Sequence, residues 1–193
     1  MAADWLADRR TEVAADRILD AAARLFATQA AATVGMNEIA SAAGCSRATL
    51  YRYFENREAL HTAYVHRESH RLYREMTEQI MSIADPRERL VEGILASLRK
   101  VRESPALASW FAATQRPIGA QMAEESEVIK ALTEAFVISL GPDDAALVAH
   151  RARWLVRVMT SLMLFPGHDE DDERAMIDEF VVPTMLPARH ATR

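Results

Sequence analysis

Apolar residues recur along nearly the whole chain at steps of three and four, and no run of period-two alternation is long enough for a strand. Ile18, Ala21, Ala22, Leu25 and Phe26 form one such face and predict a first helix. Met36, Ile39, Ala40 and Ala43 repeat the spacing in a short second helix, which Gly44 is suited to end in the left-handed conformation. Ser46 then caps a third helix, SRATLYRYF, held from within by Leu50 and Phe54. Asn56 opens a long fourth helix running to about Ser82, with Leu60, Ala63, Tyr64, Tyr73, Met76 and Ile80 as its apolar positions.

The second part of the chain continues the pattern. Asp85, Pro86 and Glu88 read as N-cap, first-turn proline and N3 carboxylate of a fifth helix carrying Leu90, Val91, Ile94, Leu95, Leu98 and Val101. Ser104-Pro105 introduces a short aromatic helix, residues 118–140 read as a further helix closed by Gly141-Pro142, and the last two run over 143–165 and 170–186. The acid run from Asp169 to Glu173 stands at the start of the final helix, where it offsets the positive end of the helix dipole or, on a sharper reading, holds a cation. The expected fold is all-α with about nine helices: a three-helix N-terminal unit, then a helical body.

Composition agrees with a core-forming helical protein, since 50% of the 193 residues are hydrophobic and 26% charged, with 6 Gly and 7 Pro. No apolar stretch approaches the ~18 residues of a membrane span, and MAADWLADRR has no apolar signal core, so a cytoplasmic location without a membrane partner is expected. The single Cys45 can form neither an internal disulfide nor a multi-cysteine metal site.

A net charge of -5 argues at first against nucleic acid. Its distribution changes that picture, because residues 1–74 carry 10 basic and 9 acidic side chains, leaving 13 basic and 19 acidic for the remainder. The acid lies in the body. Three short helices within residues 11–55, the last two joined by a tight glycine turn, are the arrangement of a helix-turn-helix. The positions of the third helix that face away from its core are Arg47, Ala48, Thr49, Tyr51, Arg52 and Tyr53, a set of guanidinium and hydroxyl donors suited to a DNA major groove.

RILDAAARLF at 17–26, MNEIASAAGCSRATLYRYF at 36–54 and ENREALHTAYV at 55–65 together resemble the tetracycline-repressor (TetR) family of transcriptional regulators over about a third of the chain. The resemblance implies a DNA-binding domain over 11–70 and a helical effector-binding and dimerisation domain over 71–193. It puts base reading on Asn37, Arg47, Ala48 and Thr49, and phosphate or groove-edge contacts on Tyr51, Tyr53 and Arg57, around the capping Ser46. Gly35 and Met36 depart from the family's hydroxyl residues, which removes backbone contacts there. It also implies a homodimer through the last two helices, matching the apolar faces at 147–162 and 177–185, and an operator on double-stranded DNA released by a small-molecule effector.

For that effector the apolar and aromatic residues Leu107, Trp110, Phe111, Met122, Phe136, His150 and Trp154 are the expected contacts, suiting an apolar or aromatic ligand with one or two polar handles. His66 and His70 are spaced for a metal with His61 near, but no carboxylate or thiol completes the set, and a solvated helix face is the expectation, with no metal or cofactor. The chain lacks a nucleophile elbow, phosphate loop or paired-acid motif, so no enzymatic activity is expected. The alternative is a helical adaptor that binds protein rather than DNA, suggested by the acidic total.

Overall fold

The computed structural model describes residues 5–111 and 118–186, with side chains from residue 12 onward. The helices are α1 (Trp5–Phe26), α2 (Met36–Ala43), α3 (Arg47–Tyr53), α4 (Arg57–Ile80), α5 (Pro86–Glu103), α6 (Pro105–Ala108), α7 (Ile118–Glu125), α8 (Glu127–Leu140), α9 (Ala145–Leu164), α10 (Glu170–Met176) and α11 (Val182–Met185). Among the described residues there is no strand.

Side-chain caps set most helix starts. Asn56 accepts from Ala59 N at 2.7 Å, Asp85 from Arg87 N at 3.2 Å and Asp144 from Leu147 N at 3.0 Å, each satisfying an orphan amide of a first turn. The same device corrects the expected single helix over 118–140. Ser126 accepts from Ile129 N at 3.2 Å and begins α8 anew, so the segment is two helices. The expected last helix also breaks its regularity, passing from α10 through a π-helical turn, Ile177–Val181, into α11. Pro183 has no N–H to give the carbonyl four residues back, and the widened turn accommodates it.

Two apolar clusters form. One holds Ile18, Phe26, Ile39, Leu50, Phe54 and Leu60 from α1 to α4, and the other holds Met76, Ile94, Leu95, Phe136, Leu155, Ile177 and Met185 of α4, α5, α8, α9, the π turn and α11. Long α4 contributes to both. Trp110, just beyond α6, joins the first cluster although it follows α5 in the chain. It is 3% exposed and stacks on Tyr64 at 5.5 Å and 7°, with Phe26 edge-on at 5.4 Å and His61 at 4.9 Å.

Ion pairs close the outer helices. Three carboxylates of the acid run at α10 are engaged structurally: Asp169 caps Asp172 N at 2.9 Å, Glu170 meets Arg99 at 2.6 Å, and buried Glu173 takes both Arg102 at 2.6 Å and Gly167 N at 3.0 Å. Hydrogen bonding from Arg102 holds the Glu173 carboxyl below its usual range. No group of three metal-ligating side chains occurs among the described residues.

Candidate functional site

The third helix stands on two buried anchors and presents the rest of its surface. Leu50 is 0% and Phe54 7% exposed, while Arg47, Ala48, Tyr51 and Arg52 face solvent and Thr49 and Tyr53 are half-buried. Gly44 adopts φ 68° and ψ 34° between α2 and α3, a left-handed turn that a Cβ would strain. That turn aims α3 outward. Ser46 Oγ accepts from Thr49 N at 3.1 Å and lies 2.9 Å from the Thr49 hydroxyl, so these two residues cap the helix and bind each other.

Arg47 and Arg52 lie over the rings of Tyr51 and Tyr53 at 5.8 and 5.3 Å. Such contacts restrain a guanidinium without neutralising it, which leaves its donors for another partner. Asn37 is exposed at the start of α2. Gly35 N donates to Glu38 Oε2 at 2.8 Å, so a carboxylate has taken the amide beside Met36.

Arg57 is turned elsewhere. Its Nη2 donates to Ala31 O at 3.1 Å and to Ala32 O, and its Nε is buried without a partner. The guanidinium thus holds the loop between α1 and α2, where the resemblance had suggested phosphate. Arg67, which the sequence pattern did not single out, ties α4 to α1 through Asp20 at 2.9 Å and also meets Glu68 at 3.1 Å. No local spacing announces a contact between residues so far apart in the chain.

His61 packs under Phe26 and Trp110, and burial, aided by the nearby Arg57 charge, lowers its pKa to about 4. It is neutral at physiological pH. Its Nε2 and the Trp110 Nε1 are both buried without partners.

Between α4, α5 and α7–α9 lies a cavity of about 190 Å³. Leu107, Trp110, Phe111 and Phe136 line it. Met122 packs instead against the N-terminal cluster, His150 is exposed, and Trp154 is 46% exposed on α9, so these three expected contacts do not line the cavity. The wall also includes Tyr64, Glu68, Ile94 and Leu155, which the sequence reading did not assign to it. Gly93 makes room there: a Cβ at this position would come within 2.7 Å of the Phe136 ring. Burial, and then the Glu68 charge, push the Tyr64 hydroxyl further from ionising.

The apolar faces expected to pair two subunits divide in two. Leu155, Ile177, Val181 and Met185 are buried in the chain's own core, whereas Trp154 and Phe180 stand 46% and 63% exposed. Among the described residues, no helix is long and apolar enough to cross a membrane.

Comparison with known proteins gives the same reading of the N-terminal helices. A family model described as bacterial regulatory proteins, tetR family, matches residues 18–64. A protein of Mycobacterium tuberculosis named as an uncharacterized HTH-type transcriptional regulator, Rv1255c in strain H37Rv, is 63% identical over 98% of this chain and 94% of its own. Among solved structures, the TetR family repressor AlkX of a Dietzia strain superposes with a TM-score of 0.65 at 25% identity, covering 88% of this chain and 93% of that one. The TetR family repressor QsdR of R. erythropolis superposes with a TM-score of 0.67 over 94% and 99% of the two chains, a likeness of fold at 17% identity. With α3 outward, its glycine turn and 63% identity to such a regulator over nearly its full length, the chain belongs to the TetR family of bacterial helix-turn-helix transcriptional regulators.

Proposed function

We propose that the protein is a repressor that binds a near-palindromic operator as a homodimer and leaves it when an apolar small molecule fills the cavity. The observation that carries this reading is the outer face of α3, where Arg47, Ala48, Tyr51 and Arg52 are exposed while Leu50 and Phe54 fix the helix from behind. A helix so mounted fits the major groove, where Arg47 can bond both acceptors of a guanine and Ala48 can meet a thymine methyl. Asn37 and Thr49 complete the base-reading edge, Tyr51 and Tyr53 reach the groove margin, and Ser46 holds the helix start. Residues 11–70 are the reading unit and residues 71–193 the effector and dimer unit.

Two copies pair through the last helices, with Phe180 and Trp154 as the anchors of the contact, since large exposed apolar side chains favour burial against a partner. Pairing sets two reading helices about 34–36 Å apart, one turn of DNA. The apolar wall of the cavity supports an apolar effector, and so does AlkX, whose description implicates it in biodegradation of n-alkanes. The effector acts by preferring the arrangement that does not fit DNA, and DNA in turn weakens the effector. The protein works by binding, without turnover, in the cytoplasm.

Anisotropy of a labelled operator fragment tests the reading. Affinity should fall steeply with salt, as phosphate neutralisation requires. Arg47→Ala should erase the preference for operator over random DNA, at a cost of about 1–3 kcal/mol. Salt-indifferent capture of protein by a chain that ignores DNA would favour the adaptor reading instead.

A further inference from the structure

The described wall of the cavity is unequal in charge. The polar side chains on its described wall are Tyr64, Glu68, Ser69, Tyr73, Ser97, Trp110, Thr133 and Thr160, with no lysine, arginine or histidine among them. Two hydroxyls are already committed as donors. Ser97 gives its proton to Gly93 O at 2.8 Å and Thr133 gives its own to Ile129 O at 2.7 Å, so each offers a ligand lone pairs only.

Glu68 adds a charge of one sign. It is 8% exposed, and an ionised carboxylate accepts without donating. Its oxygens meet Arg67 at 3.1 Å and Arg71 at 3.6 Å, but neither arginine lines the cavity, so neither guanidinium is offered to a ligand within. The void has room for a molecule somewhat larger than the benzene that an apolar cavity of ~150 Å³ accepts.

We infer, on the reading that this cavity holds the effector, that the effector is an apolar body of one or two rings or a medium chain bearing an uncharged hydrogen-bond donor such as a hydroxyl, and that a carboxylate or phosphate on the same body is rejected. A hydroxyl gives its proton to Glu68 or to the lone pairs of Ser97 and Thr133, while its apolar part covers the aliphatic and aromatic wall. An anion would surrender its water to a wall whose described residues hold no cation and lie near a carboxylate of like charge in a medium of low dielectric.

Two matched pairs of probes decide the matter on the full-length protein at neutral pH: n-octanol against octanoate, and β-naphthol against β-naphthoate. Binding is read by calorimetry, and operator release by anisotropy. Each alcohol should bind about tenfold or more tighter than its acid, and Glu68→Gln should narrow that gap by improving the acid. An acid that binds the wild type as tightly as its alcohol and releases the operator would overturn this inference and leave the cavity as the effector site. Failure of all four probes to bind would remove both readings. If the variant fails to fold, the wild-type comparison still decides.

Discussion

Trp110→Ala probes the least expected feature of the molecule, the use of a residue beyond α6 as core for the N-terminal helices. Trp110 is 3% exposed and has three aromatic neighbours at 4.9 to 5.5 Å. Burying an aromatic side chain removes ~150–250 Å² from water, which at ~25 cal/mol per Å² amounts to about 4–6 kcal/mol. Truncation leaves a methyl group and partial collapse, and it also removes a buried N–H without a partner, whose presence costs ~1–3 kcal/mol. The expected net loss is about 3–4 kcal/mol, a large share of the ~5–15 kcal/mol that holds a typical domain together.

Urea unfolding followed by far-ultraviolet circular dichroism, without DNA or effector, measures this loss. Trp110→Phe should recover most of it, because a phenyl ring keeps the edge contacts with Phe26 and His61 and has no donor to satisfy. The alanine variant should also bind operator less tightly, since Phe26 and Leu50 share the cluster that supports α3. A loss below about 1 kcal/mol, with only the response to cavity ligands changed, would refute the reasoning. Trp110 would then be a wall of the cavity and no part of the core of α1–α4.

Arg57→Ala should lower thermal stability, because two loop carbonyls lose their donor at about 1 kcal/mol each, and Arg57→Lys should fail to restore it, as the lysine nitrogen stops one atom short of Nη2 on the side chain; a purely salt-dependent loss of DNA affinity with unchanged melting would assign the residue to phosphate instead. Gly93→Ala gains about 1 kcal/mol of helix propensity but drives the Phe136 ring out of place, so stability should change little while the ring enters the cavity and ligand binding weakens; unchanged calorimetric affinity for a cavity ligand would contradict this. His61 has its folded pKa lowered to about 4 from 6.5, so the unfolded chain takes the proton first, and its contribution is complete above pH 6.5 and lost as pH falls toward 4. The span corresponds to about 3 kcal/mol at ~1.4 kcal/mol per pH unit, and His61→Phe should flatten that limb of the stability profile measured by urea unfolding.

The sequence by itself determined what is written within four or five residues. Ser46, Asn56 and Asp85 cap helices that begin at the next residue, Gly44 ends α2, and Leu50 with Phe54 fixes which side of α3 faces in. These are local hydrogen bonds and local periodicity, so residue type and spacing suffice. Ser126 carried the same signal before Glu127, and the break between α7 and α8 was legible there.

Tertiary structure decided whatever depends on partners distant in the chain. An apolar side chain carries no mark that tells a core from a cavity wall or an exposed face, so Trp110 went to the core of the N-terminal helices, Phe136 to the cavity and Trp154 to solvent, all from one compositional class. An arginine likewise does not declare its acceptor. Arg57 met two carbonyls 25 and 26 residues away because the loop after α1 returns to the start of α4, and only the packing of the helices brings those atoms together.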